Sequence, residues 1–179
     1  MIYVLLAEGF EEIEALTPVD VLRRAGLDVK TVGITGKIVT GTHGIAVTAD
    51  ILPHEMTSPT EMLVLPGGMP GAANLNTWEG MNALLEKTVR EGGRIGAICA
   101  APMILGSRGY LKDRYAVCFP GFEKTLAGAK TDTKARVITD GPFTTAIGMG
   151  AALEFACDLV SCLLGIDKAA ELYTATLGK

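Results

Sequence analysis

The chain has 179 residues, 49% of them apolar and 20% charged, with a formal net charge of -4, the size and composition of one globular domain over 1–179. It carries no basic run, arginine-rich segment or aromatic stacking pattern, so nucleic acid is not an expected partner. The longest uncharged stretches, Arg94 to Arg108 and Asp140 to Glu154, fall short of the ~18 residues of a membrane span. The opening IYVLLAEG lacks the basic flank and cleavage site of a signal peptide, and a cytoplasmic location is the expectation.

The apolar period alternates between strand and helix, which predicts an α/β domain with a largely parallel sheet. IYVLLA (2–7) reads as a buried strand. EEIEALTPVDVLRRAG (11–26) follows as an amphipathic helix with Pro18 near its middle and Gly26 as a stop. DVKTVGI (28–34) is the next strand, and the β-branched runs around Gly41 and Gly44 (36–52) predict a short hairpin or a pair of edge strands. EMLVLP (61–66) is a buried strand ending at PGGMPG, TWEGMNALLEKTVREGG (77–93) is helical, and RIGAI (94–98) is a core strand. After CAAPMILGSRG come YLKDRYAV, the loop FPGFEK, two β-rich pieces at AKTDT and ARVITD, and the strand FTTAI (143–147). Helices over 148–165 and 167–178 close the chain, with Gly165 and Asp167 as stop and cap.

The four cysteines (99, 118, 157, 162) lack the density of a disulfide framework and are expected as free thiols. Neither His43 nor His54 has a second histidine or a carboxylate at metal-ligand spacing, so no metal is expected. GMGAAL (148–153) imitates a dinucleotide fingerprint, but Leu153 stands at the third small position and no βαβ unit follows. Close strand-to-helix packing explains it instead.

In open α/β sheets ligands bind at the carboxyl ends of strands, and three such ends carry suggestive residues. Cys99 follows RIGAI and precedes Ala-Ala-Pro, a helix opening whose dipole would lower a thiol pKa. Read alone, the run favours a core segment with an inert cysteine. Gly67-Gly68 follows LVL and is either an ordinary turn or a source of backbone N–H donors for an oxyanion. In the acidic start of the first helix, Glu11 and Glu12 read as solvated, dipole-favoured carboxylates. Ile13 and Leu16 suggest that this turn faces the core, which would bury Glu14 and keep it protonated unless paired. Cys157 and Cys162 fall in an apolar helix and read as packing residues, whereas Cys118, before Phe119-Pro120, is either structural or a resolving thiol for an oxidised Cys99.

LLAEGFEEIEALTPVDVLRRAG, LVLPGGMPGAANL, GRIGAICAAP and FTTAIGMGAALEFA, in this order over nearly the whole chain, resemble the ThiJ/PfpI superfamily. The matching branch holds the parkinsonism-associated protein deglycase and its bacterial relatives. The resemblance implies a flavodoxin-like three-layer sandwich of the class I glutamine amidotransferase type, with a mostly parallel sheet and helices on both faces, usually as a homodimer. It places the nucleophile at Cys99 on a strained turn, its carboxylic acid partner at Glu14, and backbone donors at Gly67, Gly68 and Ala100. The protease-like members have a histidine directly after the cysteine; Ala100 stands there, so that Cys-His dyad is absent. Phe119 replaces a histidine of the best-known member, as in similar bacterial members, and His43 and Ile147 occupy positions of its arginines. His43 is therefore either a contributor to anion binding, from a dimer partner, or an exposed edge-strand residue.

The implied activity is a cofactor-free, cysteine-dependent reaction on small aldehydes or glycated adducts, of the deglycase or glyoxalase kind. The alternative is a redox sensor or chaperone in which Cys99 is oxidised to a sulfinate held by Glu14.

Overall fold

In the computed structural model, which describes residues 1–176, the apolar runs that alternate with amphipathic segments pair into one sheet. The strands are β1 (Ile2–Leu6), β2 (Val29–Gly33), β5 (Met62–Leu65), β6 (Arg94–Ile98), β9 (Val137–Asp140) and β10 (Phe143–Ala146). Their order is β2-β1-β5-β6-β10-β9. All neighbours are parallel except β9, which runs antiparallel to β10 at one edge. Every residue of β1 and β5 is buried, as expected of strands covered on both faces. The expected hairpin is present as β3 (Ile38–Thr40) and β4 (Ala46–Thr48), antiparallel and separate from the main sheet. β7 (Tyr115–Ala116) and β8 (Lys130–Thr131) form a small parallel pair.

Helices α1 (Glu12–Arg24), α5 (Ala152–Leu164) and α6 (Ile166–Ala175) contribute to the core on one face of the sheet. α2 (Gly71–Thr77), α3 (Met81–Arg90) and α4 (Pro102–Gly106) contribute to the other. The result is the expected three-layer α/β sandwich. Gly96 in β6 sets the spacing on the first face: a Cβ there would lie 2.8 Å from Leu159 and 2.9 Å from Phe155, so α5 can press close to the sheet.

Several boundaries differ from expectation. The helix expected over 77–93 is α3 alone, starting at Met81, because Trp78 takes an extended conformation and its ring packs over Gly80; α2, Gly71–Thr77, lies in a segment where no helix is expected. The helix after Cys99 has only five residues. Gly165 does end α5, at φ 89°, but it also caps α6, leaving Asp167 in the first turn. The last helix is expected to reach 178; residues 177 and 178 lie outside the described residues. Among the described residues, no helix is long and apolar enough to cross a membrane.

Candidate active site

The order β2-β1-β5-β6-β10 makes the chain leave β1 in one direction and return on its other side at β5, so the carboxyl ends of β1, β5 and β6 open on a common crevice. Cys99 is the residue directly after β6. It has φ 63°, a left-handed conformation that costs a non-glycine residue about 1 kcal/mol. Two hydrogen bonds hold its backbone, Cys99 N–H to Ala146 O (2.9 Å) and Phe119 N–H to Cys99 O (2.8 Å), and a third closes the turn around it, Ala101 N–H to Ile98 O (3.0 Å). Pro102, with no N–H to satisfy, then opens α4. The strained turn implied by the resemblance is present at Cys99.

Glu14 stands beside it. The residue is 1% exposed, and its Oε2 accepts the Gly67 N–H at 3.0 Å. The neighbouring Cys99 thiol and Met149 N–H also favour its charged form. Burial outweighs all three and, with the nearby charge of Glu11, pushes the Glu14 pKa up to about 7. Its burial is expected from Ile13 and Leu16, yet those side chains are 49% and 36% exposed. Glu12, Glu14, Ala15, Pro18 and Val19 form the inward face instead.

The thiol corrects a second expectation. A helix N-terminus is expected to lower its pKa, but burial, the charge of Glu14 and the hydrogen bond to it push Cys99 up to about 12. The N–H groups of Gly68 and Ala100 oppose the shift without cancelling it, and a five-residue helix has little dipole to add. At neutral pH the pair therefore shares one titrating proton, and Glu14 is the group from which it leaves first.

The glycines have separate tasks. The Gly67 N–H is committed to Glu14, so the donors that face the sulfur are those of Gly68 and Ala100, not Gly67 as expected. A Cβ on Gly67 would fall 2.6 Å from both Cys99 Cβ and Glu14 Oε2. Gly68 has φ 84°, and a Cβ there would meet the Glu11 backbone nitrogen at 2.5 Å. The loop after β5 thus approaches the pair at a distance only glycine allows. Phe119, 47% exposed, lies over Gly148, where a Cβ would be 3.4 Å from its ring and 3.9 Å from Glu14 Oε1. Cys118 packs in the core on the α2–α4 face and Cys157 in the core on the other, and all four cysteines are free.

Glu11 and Glu12, expected in solvent, are 8% and 5% exposed. Glu12 reaches under the β3–β4 turn. Its Oε1 accepts the His43 N–H (2.9 Å) and the Ile45 N–H (3.4 Å), and its Oε2 lies 3.1 Å from His43 Nδ1. A Cβ on Gly41 would come within 2.3 Å of that carboxylate. Burial raises the Glu12 pKa, but hydrogen bonds from its own backbone, His43 and Ile45 win and hold it below the ordinary value. The Glu12 hydrogen bond and the charge of Glu11 push the exposed His43 upward. Carboxylates that local spacing did not offer to His43 thus reach it from 31 residues away. Glu11, Glu12 and His43 each present one ligand atom within 4.8 Å of the others, a set with cation-binding composition whose positive charge the imidazolium can itself supply. The Gly-rich hairpin gives no local signal for this contact; an acidic pair at a helix start facing a turn histidine is visible only once the fold is known.

The DJ-1/PfpI family model matches residues 1–162. Two Arabidopsis thaliana proteins, DJ-1 homologs B and A, are 37% and 36% identical over 170 and 176 residues, covering 93% and 96% of this chain. The chain spans only 39% and 45% of their lengths. A glutathione-independent glyoxalase of Caenorhabditis elegans is 32% identical over 90% of this chain and 87% of its own. A deglycase of Pyrococcus abyssi is 34% identical over 78% of this chain and 85% of its own. The crystal structure of Drosophila melanogaster DJ-1beta superposes with a TM-score of 0.93 at 31% identity, covering 99% of this chain and 97% of that one. With the fold, the strained cysteine turn and these matches in agreement, the chain belongs to the DJ-1/PfpI family.

Proposed function

We propose that the protein is an enzyme acting on reactive carbonyls, with Cys99 as nucleophile and Glu14 as the group that moves the proton. The observation that carries this reading is a carboxyl, 1% exposed and held by the Gly67 N–H, beside a thiol on a strained turn; burial pushes that carboxyl up to about 7. A base with a pKa near neutrality is efficient in proton transfer, and it removes the need for a standing thiolate, which a thiol pushed up to about 12 would not provide.

In the first step Glu14 carboxylate takes the thiol proton as Sγ bonds to the aldehyde carbon, and the carbonyl π electrons move to oxygen. The Gly68 and Ala100 N–H groups, which act on the sulfur, are the donors that would stabilise the developing alkoxide. Glu14 then returns the proton to that oxygen, giving a neutral hemithioacetal and regenerating the carboxylate. For a 2-oxoaldehyde, the proton on the hemithioacetal carbon moves to the neighbouring carbon and the hydroxyl proton moves to the neighbouring ketone oxygen, giving a 2-hydroxy thioester, which water cleaves to a 2-hydroxy acid and free thiol. The names of the nematode and archaeal relatives support this substrate class.

The test is consumption of methylglyoxal by purified protein, with the 2-hydroxy acid product resolved chromatographically. Wild-type protein turns it over and Cys99→Ser loses at least a thousandfold in kcat/KM; turnover that survives Cys99→Ser ends this reading.

A second reading has its own support in the donors around Sγ. Two equivalents of peroxide would convert the thiol to a sulfinic acid with release of two waters, and protonated Glu14 with the Gly68 and Ala100 N–H groups would hold the sulfinate oxygens. Intact mass after peroxide would show gain of two oxygens at Cys99 before Cys118, Cys157 or Cys162. Equal oxidation of all four thiols contradicts it.

A further inference from the structure

Next to the reactive turn lies a cavity of about 140 Å³ that the carbonyl chemistry does not use. Val117, Pro120 and Ile147 give it apolar walls, and the buried thiol of Cys118 lies against it. Its walls are tied to the sheet and to one another: Val117 N–H donates to Thr145 Oγ1 (3.0 Å), Asp132 N–H to Ala116 O (3.2 Å) and Ile147 N–H to Arg136 O (2.9 Å). The site is therefore preformed, which limits the ordering cost of filling it. The wall is also continuous with the turn, since Phe119, between Cys118 and Pro120, is the residue whose N–H holds Cys99 O.

Charge gives the cavity a preference. Two of its lining residues are acidic, Glu123 and Asp132, and none is cationic. Each carboxylate accepts one local backbone N–H, from Gly121 (2.9 Å) and from Lys134 (2.8 Å) respectively. Neither forms an ion pair among the described residues. The negative charge of Glu123 reaches the inner wall: with burial, it pushes the Cys118 thiol up to about 11. An apolar space of this size accommodates a body of about benzene dimensions. Two carboxylates without a counter-ion favour a cationic end on whatever fills it.

We propose that this cavity binds a small primary ammonium compound with a compact apolar body, the ammonium facing Glu123 and Asp132 and the hydrocarbon packing on Val117, Pro120 and Ile147. Because Cys118 lies against the cavity, occupancy is readable at its sulfur.

The probe is n-butylammonium chloride, titrated into the full chain and followed by protein NMR, with n-butanol and butyrate as neutral and anionic comparisons. The expected order is butylammonium tighter than butanol and butanol tighter than butyrate. Glu123→Gln and Asp132→Asn, both at the surface end of the cavity, each weaken butylammonium by roughly fivefold and leave butanol unchanged. Bound butylammonium slows alkylation of Cys118 by a neutral maleimide while Cys157 and Cys162 react as before. Ile147→Trp, which fills the cavity, abolishes both effects. Absence of saturable binding, equal affinity for butylammonium and butanol, or insensitivity to both charge-neutral variants overturns the proposal. The titration is repeated on Cys99→Ser, so its failure is distinguishable from failure of the carbonyl reading, which that variant alone eliminates.

Discussion

Replacing Glu14 by glutamine removes a titrating group that folding displaces by a calculable amount. In the native protein burial pushes Glu14 from 4.5 up to about 7, whereas in the unfolded chain it ionises near its ordinary value. Between those two pH values the native state holds a proton that the unfolded state has released, so rising pH favours unfolding. The stabilisation from this group is complete below about pH 4.5 and lost above about pH 7. At about 1.4 kcal/mol per pH unit the loss amounts to about 3 kcal/mol. The substituted amide retains an oxygen for the Gly67 N–H but does not titrate, so the stability of Glu14→Gln relative to wild type should rise by about 3 kcal/mol from pH 4.5 to pH 8. Urea unfolding of both proteins at half-unit pH intervals measures this difference, and other carboxylates cancel in the comparison. A difference that stays flat, or that falls with pH, would refute the assignment of a protonated, desolvated carboxyl at this position.

Two further substitutions test the geometry around the pair. Gly67→Ala places a methyl 2.6 Å from Cys99 Cβ and Glu14 Oε2. It should cost about 2 kcal/mol in thermal or urea unfolding and reduce carbonyl turnover, because the Glu14 hydrogen bond and the Cys99 position shift together. Phe155→Ala opens the core where α5 packs on Gly96 and should cost about 3–5 kcal/mol, with turnover at low temperature largely preserved. Loss of turnover in a folded Phe155→Ala protein would mean that α5 positions the site more directly than its contacts indicate.

How much of this is legible in the sequence varies with the range of the interaction. β1, β5 and β6 are short apolar runs and β10 is a short run with two β-branched threonines; the structure finds each within a residue or two of the expected limits. The strand-to-turn transition at Cys99 is visible because Ala-Ala-Pro can open a helix, its proline needing no N–H partner in the first turn. Glu14 is expected to be buried, but from the wrong neighbours. The helix turns its carboxylates inward and leaves Ile13 and Leu16 outside, since the inward positions are filled by contacts with the loop after β5 and with Met149. Local propensity also misses α2, whose Gly-Ala-Ala opening follows a glycine- and proline-rich turn, and starts the next helix at 77 where the extended Trp78 delays it to Met81. The raised thiol pKa, the use of the Gly67 N–H by Glu14, and the grip of Glu12 on the His43 turn depend on partners more than 25 residues apart in sequence. Periodicity and spacing carry no information about such pairs.

The central claim is that Cys99 and Glu14 share one proton that leaves near neutrality. The most direct test is the rate of Cys99 alkylation by iodoacetamide from pH 5 to pH 10 in wild type and Glu14→Gln, with the modified site read by peptide mass. Wild type should show a rising limb with an apparent pKa of about 7, and Glu14→Gln should lose that limb and react only as pH climbs well above the ordinary thiol range of about 8.5. Identical profiles in the two proteins would contradict the account.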